Sequence, residues 1–349
     1  MTTLKDIAAA TDLSISTVSR VLNNSASQVG ISRATQERVW QAAQAMNYTP
    51  NKMARNLKLG RQPKAILFLY SSTPSSPANS ALMIHPFFSH MLHGIHLEVA
   101  RMRGCYLAYM GATPENRRQV GELLDQAVSG VITFGTMEDG IWRELSKRDI
   151  PVVSIEPYSG EDAHAIYVDN QLAISQGIQH LYGLGHRRIH FFSLPDTVLG
   201  RGPMEERRQA FLREMAALGL STAGAVCHVR REPDQSEIGA ARRAAYEVFT
   251  KENRPSAVLT THDLSALGVL EGARDAGLRV PEDLSVVGID DIDWAAHTYP
   301  PLTTVHIPKE ELGFRAVTML RKLLKGQECE ERVVRIATQL IIRDSTSSI

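Results

Sequence analysis

Cysteine is scarce, net charge is nil and no long apolar run occurs, and each shortage removes a class of protein. The 349 residues include three cysteines, Cys105, Cys227 and Cys329. An odd number, so widely spaced, argues against a disulfide framework or a paired-cysteine zinc site and fits a reducing cytosol. No apolar stretch approaches the roughly 18 residues that span a bilayer. The opening Met1-Thr-Thr-Leu-Lys-Asp6 lacks the basic and apolar regions of a secretory leader. A cytoplasmic protein without a membrane partner is therefore expected. The twelve histidines contain no HExxH pair and no Cys/His quartet, although His85, His90, His93 and His96 partly share helical spacing. Gly183-Leu-Gly185 precedes a strand-like run rather than following one, so it is no dinucleotide fingerprint. With no nucleophile and base in a recognisable arrangement, the expectation is no metal, no cofactor and no enzyme.

What is present is unevenly placed. Lys and Arg total 38, as do Asp and Glu, yet residues 1–62 hold eight basic against three acidic side chains. That gives a head of +5 on a body of −5, the asymmetry of a nucleic-acid-binding head on a sensor. The head reads as three short helices. Thr3 with Asp6 resembles a capping box, Ser14 can cap a helix from Ile15 to about Asn23, and Ser32 can cap a third. Val18, Val21 and Leu22 form one apolar face, and Val39, Ala42, Ala43 and Met46 form another. A polar loop, Asn24–Gln28, lies between the second and third helices. Asn51 can cap a short basic helix ended by Gly60 and Pro63, too short to be stable alone.

From Ala65 the pattern becomes strand–helix alternation. Strand-like runs at 65–70, 104–110, 130–134 and 151–155 form one set, and 188–193, 225–229, 257–261 and 284–289 form another, with helical stretches between them. Such alternation builds parallel sheets through right-handed crossovers. The predicted organisation is a helix-turn-helix domain at 1–48, a linker at 49–62 and a core at 63–349. The core is predicted to comprise one lobe at 64–165 and 307–326 and a second at 166–306 and 327–346. Ligands of open α/β sheets sit at the carboxyl ends of the strands, which puts the expected pocket between the lobes.

In a helix-turn-helix the second helix enters the major groove, and here its leading residues are Ile15, Ser16 and Thr17. Arg20, one turn on, can grip a guanine edge bidentately, and Ile15 can pack on a thymine methyl. Thr17, Ser19 and Asn23 suit phosphates. Leu4-Lys-Asp-Ile-Ala8, the run Leu13-Ser-Ile-Ser-Thr-Val-Ser-Arg-Val-Leu-Asn23, and Asn47-Tyr-Thr-Pro-Asn51 with Ala54-Arg-Asn-Leu57 together resemble the lactose/galactose repressor family. The resemblance implies a hinge helix that brings Asn51, Lys52 and Arg55 to DNA. It also implies that Leu57 wedges into the minor groove and kinks the operator. The loop before Ser32 is about three residues longer than in the family's shorter members.

The resemblance runs on through Asp169-Asn170, His180–Ile189, Thr261–Gly268, Val280–Asp291, Tyr299–Val305 and Leu340–Thr346, implying a periplasmic-binding-protein-like core. Asp290, after a strand, can accept two hydroxyl hydrogen bonds. The family's arginine corresponds to Arg207, a planar fork of donors. His262 stands where the family more often has Asn, Glu156 where sugar-binding members have Asp, and Phe87-Phe88 where it has an aromatic pair. Trp294 is a further candidate stacking surface. The segment Pro233-Asp-Gln-Ser236 lacks the aromatic that relatives often carry there. The acids with Arg207 and His262 point to a sugar-like effector acting as inducer, a nucleobase co-repressor being the alternative. An enzyme with a DNA-binding appendage is the rival from another class. One helix-turn-helix makes few contacts, so a homodimer on a pseudo-palindromic operator is expected. The chain ends soon after its last strand without a heptad-bearing helix, favouring dimer over tetramer.

Overall fold

The structure, a computed structural model, describes residues 3–22, 30–46, 48, 64–71, 85–126, 128–135, 137–157, 164–194, 202–232 and 235–349. The chain divides into two units, Met1–Pro63 and Lys64–Ile349.

In the first unit α1 spans Leu4–Thr11, α2 Ile15–Leu22 and α3 Arg33–Ala45. Thr3 donates from its backbone N and its Oγ1 to Asp6 Oδ2, at 2.7 and 2.8 Å, which fixes the start of α1. Asp12 takes a left-handed conformation, φ 48°, and turns the chain into α2. Ser14 Oγ accepts from Thr17 N at 3.1 Å and Ser32 Oγ from Thr35 N at 3.3 Å, so both serines cap as their positions foretold. Ile7, Val18, Val21, Leu22, Val39 and Ala43 make the small core, with Ala42 and Met46 packed against it. The expected loop at 24–28 and the basic helix from Asn51 lie outside the described residues.

The second unit has two sheets. The first comprises β1 (Lys64–Ser71), β2 (Cys105–Ala112), β3 (Val128–Phe134), β4 (Val152–Ile155), β5 (Ala165–Val168) and β11 (Val333–Ile336), ordered β11-β5-β4-β3-β1-β2. All its pairings are parallel. Around it lie α4 (Pro86–Ala100), α5 (Arg117–Leu124), α6 (Asp139–Ser146) and α11 (Lys309–Leu323). The second comprises β6 (Ile189–Ser193), β7 (Val226–His228), β8 (Ala257–Thr260), β9 (Ser285–Asp290), β10 (Thr303–His306) and β12 (Gln339–Ile341), ordered β12-β10-β9-β8-β6-β7. Only β12 of these runs antiparallel to its neighbour. Its helices are α7 (Asn170–Gly183), α8 (Pro203–Ala217), α9 (Glu237–Phe249) and α10 (Asp263–Asp275). Buried on both faces, central strands such as Ala65–Leu69 read as unbroken apolar runs rather than alternating ones.

The lobe boundaries require correction. The sequence reading places residues from 166 onward, and all of 327–346, in the second lobe. The structure puts β5 and β11 in the first sheet, paired Ala165–Val333 through Val168–Ile336. The crossings therefore fall between Val168 and Asn170, His306 and Lys309, and Ile336 and Gln339. The physical reason is that β5 and β11 are only four residues each and β11 is an edge strand with Val333 and Arg335 exposed, so apolar composition marks them as strands without saying which sheet they join. Helices α4 and α11 cross at glycines: a Cβ on Gly94 would lie 2.2 Å from the Glu310 carbonyl, and one on Gly313 2.3 Å from that of Met91.

Candidate functional site

The carboxyl ends of the two sheets open onto a cavity of about 480 Å³. From the first lobe come His85, Phe87, Phe88, Phe134, Glu156 and Val168; from the second, Leu194, Pro203, Met204, Arg207, Arg231, Glu237, His262 and Asp290. Phe134 and Val168 end β3 and β5, Glu156 follows β4, Leu194 follows β6, and Asp290 ends β9. This is the topology's own consequence, since parallel strands all deliver their last residues to one edge.

Two of the carboxylates sit on strained backbone. Glu156 has φ 52° and Asp290 φ 117°, both rare for residues with a Cβ. The Val168 amide donates to Glu156 Oε1, which folds this side chain back towards β5. Behind Asp290 the buried Lys309 donates to three carbonyls, of Asp290 at 2.6 Å, Asp291 at 3.0 Å and Ile307 at 3.2 Å. That lysine ties the end of β9 to the crossing into α11. Asp291 (φ 54°) faces away from the cavity lining and pairs with Arg343 at 2.7 Å and His306 at 2.9 Å, a structural role.

Arg207, buried in α8, lies 3.6 Å from Asp290 Oδ1. Its Nε donates to Asn170 Oδ1 at 2.8 Å, and its guanidinium also donates to the Thr261 carbonyl. The fork is thus held by two partners, neither of which lines the cavity. Burial pushes the Asp290 carboxyl above its ordinary range, and Arg207, His262 and Lys309 pull against that shift. His262 caps α10, its ring accepting from Ser265 N at 3.3 Å. Burial pushes the His262 imidazole down to about 4, and does the same to His85, with His262 adding to the effect. Glu237 goes the other way: burial raises its carboxyl to about 7.

Of the seven sequence-predicted effector residues, the structure brings six together, namely Phe87, Phe88, Glu156, Arg207, His262 and Asp290. Trp294 is a correction: it sits in a 3-10 turn, Asp293–His297, 54 % exposed, and does not line the cavity. Phe88 is 1 % exposed and packs with Phe68, Tyr70 and Phe134, so it lines the cavity as a wall of the core. His85, Phe134, Arg231 and Glu237 were missed. The strand-end rule would have found Phe134, and Glu237 follows the capping Ser236, a helix start beyond β7. His90 of the histidine-spaced run pairs instead with Glu310 at 2.6 Å and Asp293 at 3.6 Å. Among the described residues no group of three or more His, Cys, Asp or Glu is placed to hold a metal ion. Nor is any helix there long and apolar enough to cross a membrane.

In the first unit Ile15, Ser16 and Arg20 are exposed and Thr17 and Ser19 half-buried, opposite the buried Val18, Val21 and Leu22. Ser14 Oγ lies 2.8 Å from the hydroxyls of both Ser16 and Thr17, so the cap and the leading residues share one network. Asn23, Asn51, Lys52, Arg55 and Leu57 lie outside the described residues.

Residues 3–51 match the model for bacterial regulatory proteins of the lacI family, and residues 178–346 that for a periplasmic binding protein-like domain. The chain is 29% identical over 354 residues to the HTH-type transcriptional repressor CytR of Escherichia coli (strain K12), covering 99% of this chain and 97% of that one. It is similar to the Lac repressor bound to ONPG in a repressed state, with 26% identity, a TM-score of 0.80 and 99% of each chain covered. It is also similar to a complex of the transcriptional regulator CelR with cellobiose, with 26% identity, a TM-score of 0.68, and 99% and 100% covered.

Proposed function

The chain belongs to the lacI family of bacterial regulatory proteins, and on that premise we propose that it is a cytoplasmic, non-enzymatic repressor relieved by a sugar-like inducer. A homodimer presents two helix-turn-helix units to the half-sites of a pseudo-palindromic operator. Helix α2 reads the major groove through Ile15, Ser16 and Arg20, while Thr17, Ser19 and Asn23 meet phosphates. Asn51, Lys52, Arg55 and Leu57 act at the hinge. This division of labour follows from exposure in α2 and from the family motif.

The effector occupies the cavity between the lobes. The observation that carries this is the buried pair Arg207–Asp290 at 3.6 Å, facing that cavity from a strained strand end. An outlier of this kind is held in place by its surroundings, and at a cavity edge it is grounds for a functional role. A carboxylate and a guanidinium side by side offer acceptors and donors to neighbouring hydroxyls, which is the pattern of a polyhydroxylated ligand. The CelR–cellobiose complex supports the same class. Ligand contacts from both lobes favour one lobe arrangement, and only that difference in affinity can shift the operator-binding state.

The test is operator affinity with and without a panel of sugars, for wild type and for Asp290→Asn. A sugar should weaken operator binding by wild type, and the variant should bind operator normally and lose the response. A variant that still responds like wild type removes Asp290 from the pocket. A specific observation favours a second reading: Phe87, Phe88, Phe134 and Val168 give the cavity an apolar wall suited to a planar ring. A nucleobase that strengthens operator binding would establish that co-repressor alternative.

A further inference from the structure

We propose that Lys309 is a positioning residue of the effector site, reaching from the first lobe to the main chain behind Asp290 and setting where that carboxylate points. The proposal rests on the reading of the cavity as the effector site and adds what orients its central acid. Lys309 is the first residue of α11, at the crossing that follows His306, and is 4 % exposed. A buried ammonium is costly unless its protons find acceptors. Here three protons meet three main-chain carbonyls, of Asp290 at 2.6 Å, Asp291 at 3.0 Å and Ile307 at 3.2 Å. The backbone of this lysine thus belongs to the first lobe while its Nζ is fastened to the second.

Two of those carbonyls belong to consecutive residues of positive φ, 117° at Asp290 and 54° at Asp291. Backbone of this kind persists where its surroundings over-determine it. Arg343 and His306 hold Asp291 by its side chain, whereas Lys309 holds both residues by their carbonyls. Each carbonyl fixes a planar peptide unit. With the two units after its Cα fixed, Asp290 keeps its side chain directed at Arg207, 3.6 Å away, and at the cavity. Burial pushes the Asp290 carboxyl up, and the charge of Lys309 joins that of Arg207 in pulling it back. The anchor itself is firm. Glu310, next along α11, pairs with His90 of α4 at 2.6 Å, and Gly94 and Gly313 bring the two helices backbone to backbone. His90 also lies 3.6 Å from Asp293, which opens the 3-10 turn after β9. A binding group keeps its geometry when a packed element supports it in this way.

The test compares crystal structures of full-length wild type, Lys309→Met and Lys309→Gln, and titrates each on operator with cellobiose, glucose and ribose. In Lys309→Met the backbone of Asp290 should leave its positive φ and the carboxylate should move beyond 3.6 Å from Arg207. For any of these sugars that releases wild type, the midpoint should rise by about tenfold or more, the scale of a hydrogen bond to a charged group. Lys309→Gln keeps two donors and should fall between the other two proteins. The proposal is overturned if Lys309→Met keeps the backbone of Asp290 and its contact with Arg207, or releases at the wild-type midpoint. It is also overturned if neither variant folds, since the lysine then holds the fold rather than one carboxylate. Where Asp290→Asn responds like wild type, or none of the three sugars releases wild type, the sugar reading of the cavity fails, and the crystal structures still decide the role of Lys309.

Discussion

Arg207→Ala tests whether the buried pair at the cavity is an electrostatic unit. The substitution leaves Asp290 at the end of β9, 4 % exposed, without the guanidinium 3.6 Å away. It also strands Asn170 Oδ1 and the Thr261 carbonyl, which Arg207 now satisfies. Breaking a buried pair by removing one partner costs about 3–5 kcal/mol. The loss should depend on pH, and the sign follows from Asp290. Burial raises its folded-state carboxyl, and Arg207 is the foremost influence holding it back, so in the variant it rises further. Wild type and variant both hold this proton just above the unfolded carboxyl value, so their stabilities diverge only between the raised Asp290 value of wild type and the still higher one of the variant. In that window the variant's stability falls relative to wild type as pH rises, by up to about 1.4 kcal/mol per unit. Urea titrations at pH 5 and pH 8 should give a larger deficit at pH 8. Asp290→Asn in the Arg207→Ala background should recover part of it at pH 8 and little at pH 5. Equal deficits at both pH values, with no recovery in the double variant, would refute the reasoning.

Three further outcomes are expected. Gly313→Ala pushes a methyl to 2.3 Å from the Met91 carbonyl, so α4 and α11 must separate; overpacking of this kind costs about 1–3 kcal/mol, read from a urea melt. Arg20→Ala should lower operator affinity by about 1–3 kcal/mol and relax one base position per half-site, whereas Lys52→Ala should weaken all sequences alike and shallow the salt dependence. Equal loss of specific and non-specific affinity by Arg20→Ala would make Arg20 a phosphate contact. Leu57→Ala should reduce operator bending in a circular-permutation gel shift without lowering core stability; unchanged bending would reject its wedge role.

Whatever is local or repeats along the chain is legible in the residues alone. The capped helices of the head follow from Thr3, Ser14 and Ser32 beside apolar residues at helical spacing. The strand–helix alternation follows from runs such as Ala65–Tyr70, whose burial on both faces removes any need for polar residues. Asp290, Glu156 and His262 were legible because strand ends face the ligand in such sheets, and Arg207 because the family motif names it. Which lobe receives β5 and β11 depends on long-range pairing, because a neighbouring strand, and not the composition of four residues, assigns them. Packing likewise turns Trp294 outward and brings His85, Glu237 and His262 to one corner of the cavity. Those three lie far apart along the chain and have no common spacing. Only the packing of two sheets edge to edge removes them from water together, and that shared burial is what sets their chemistry.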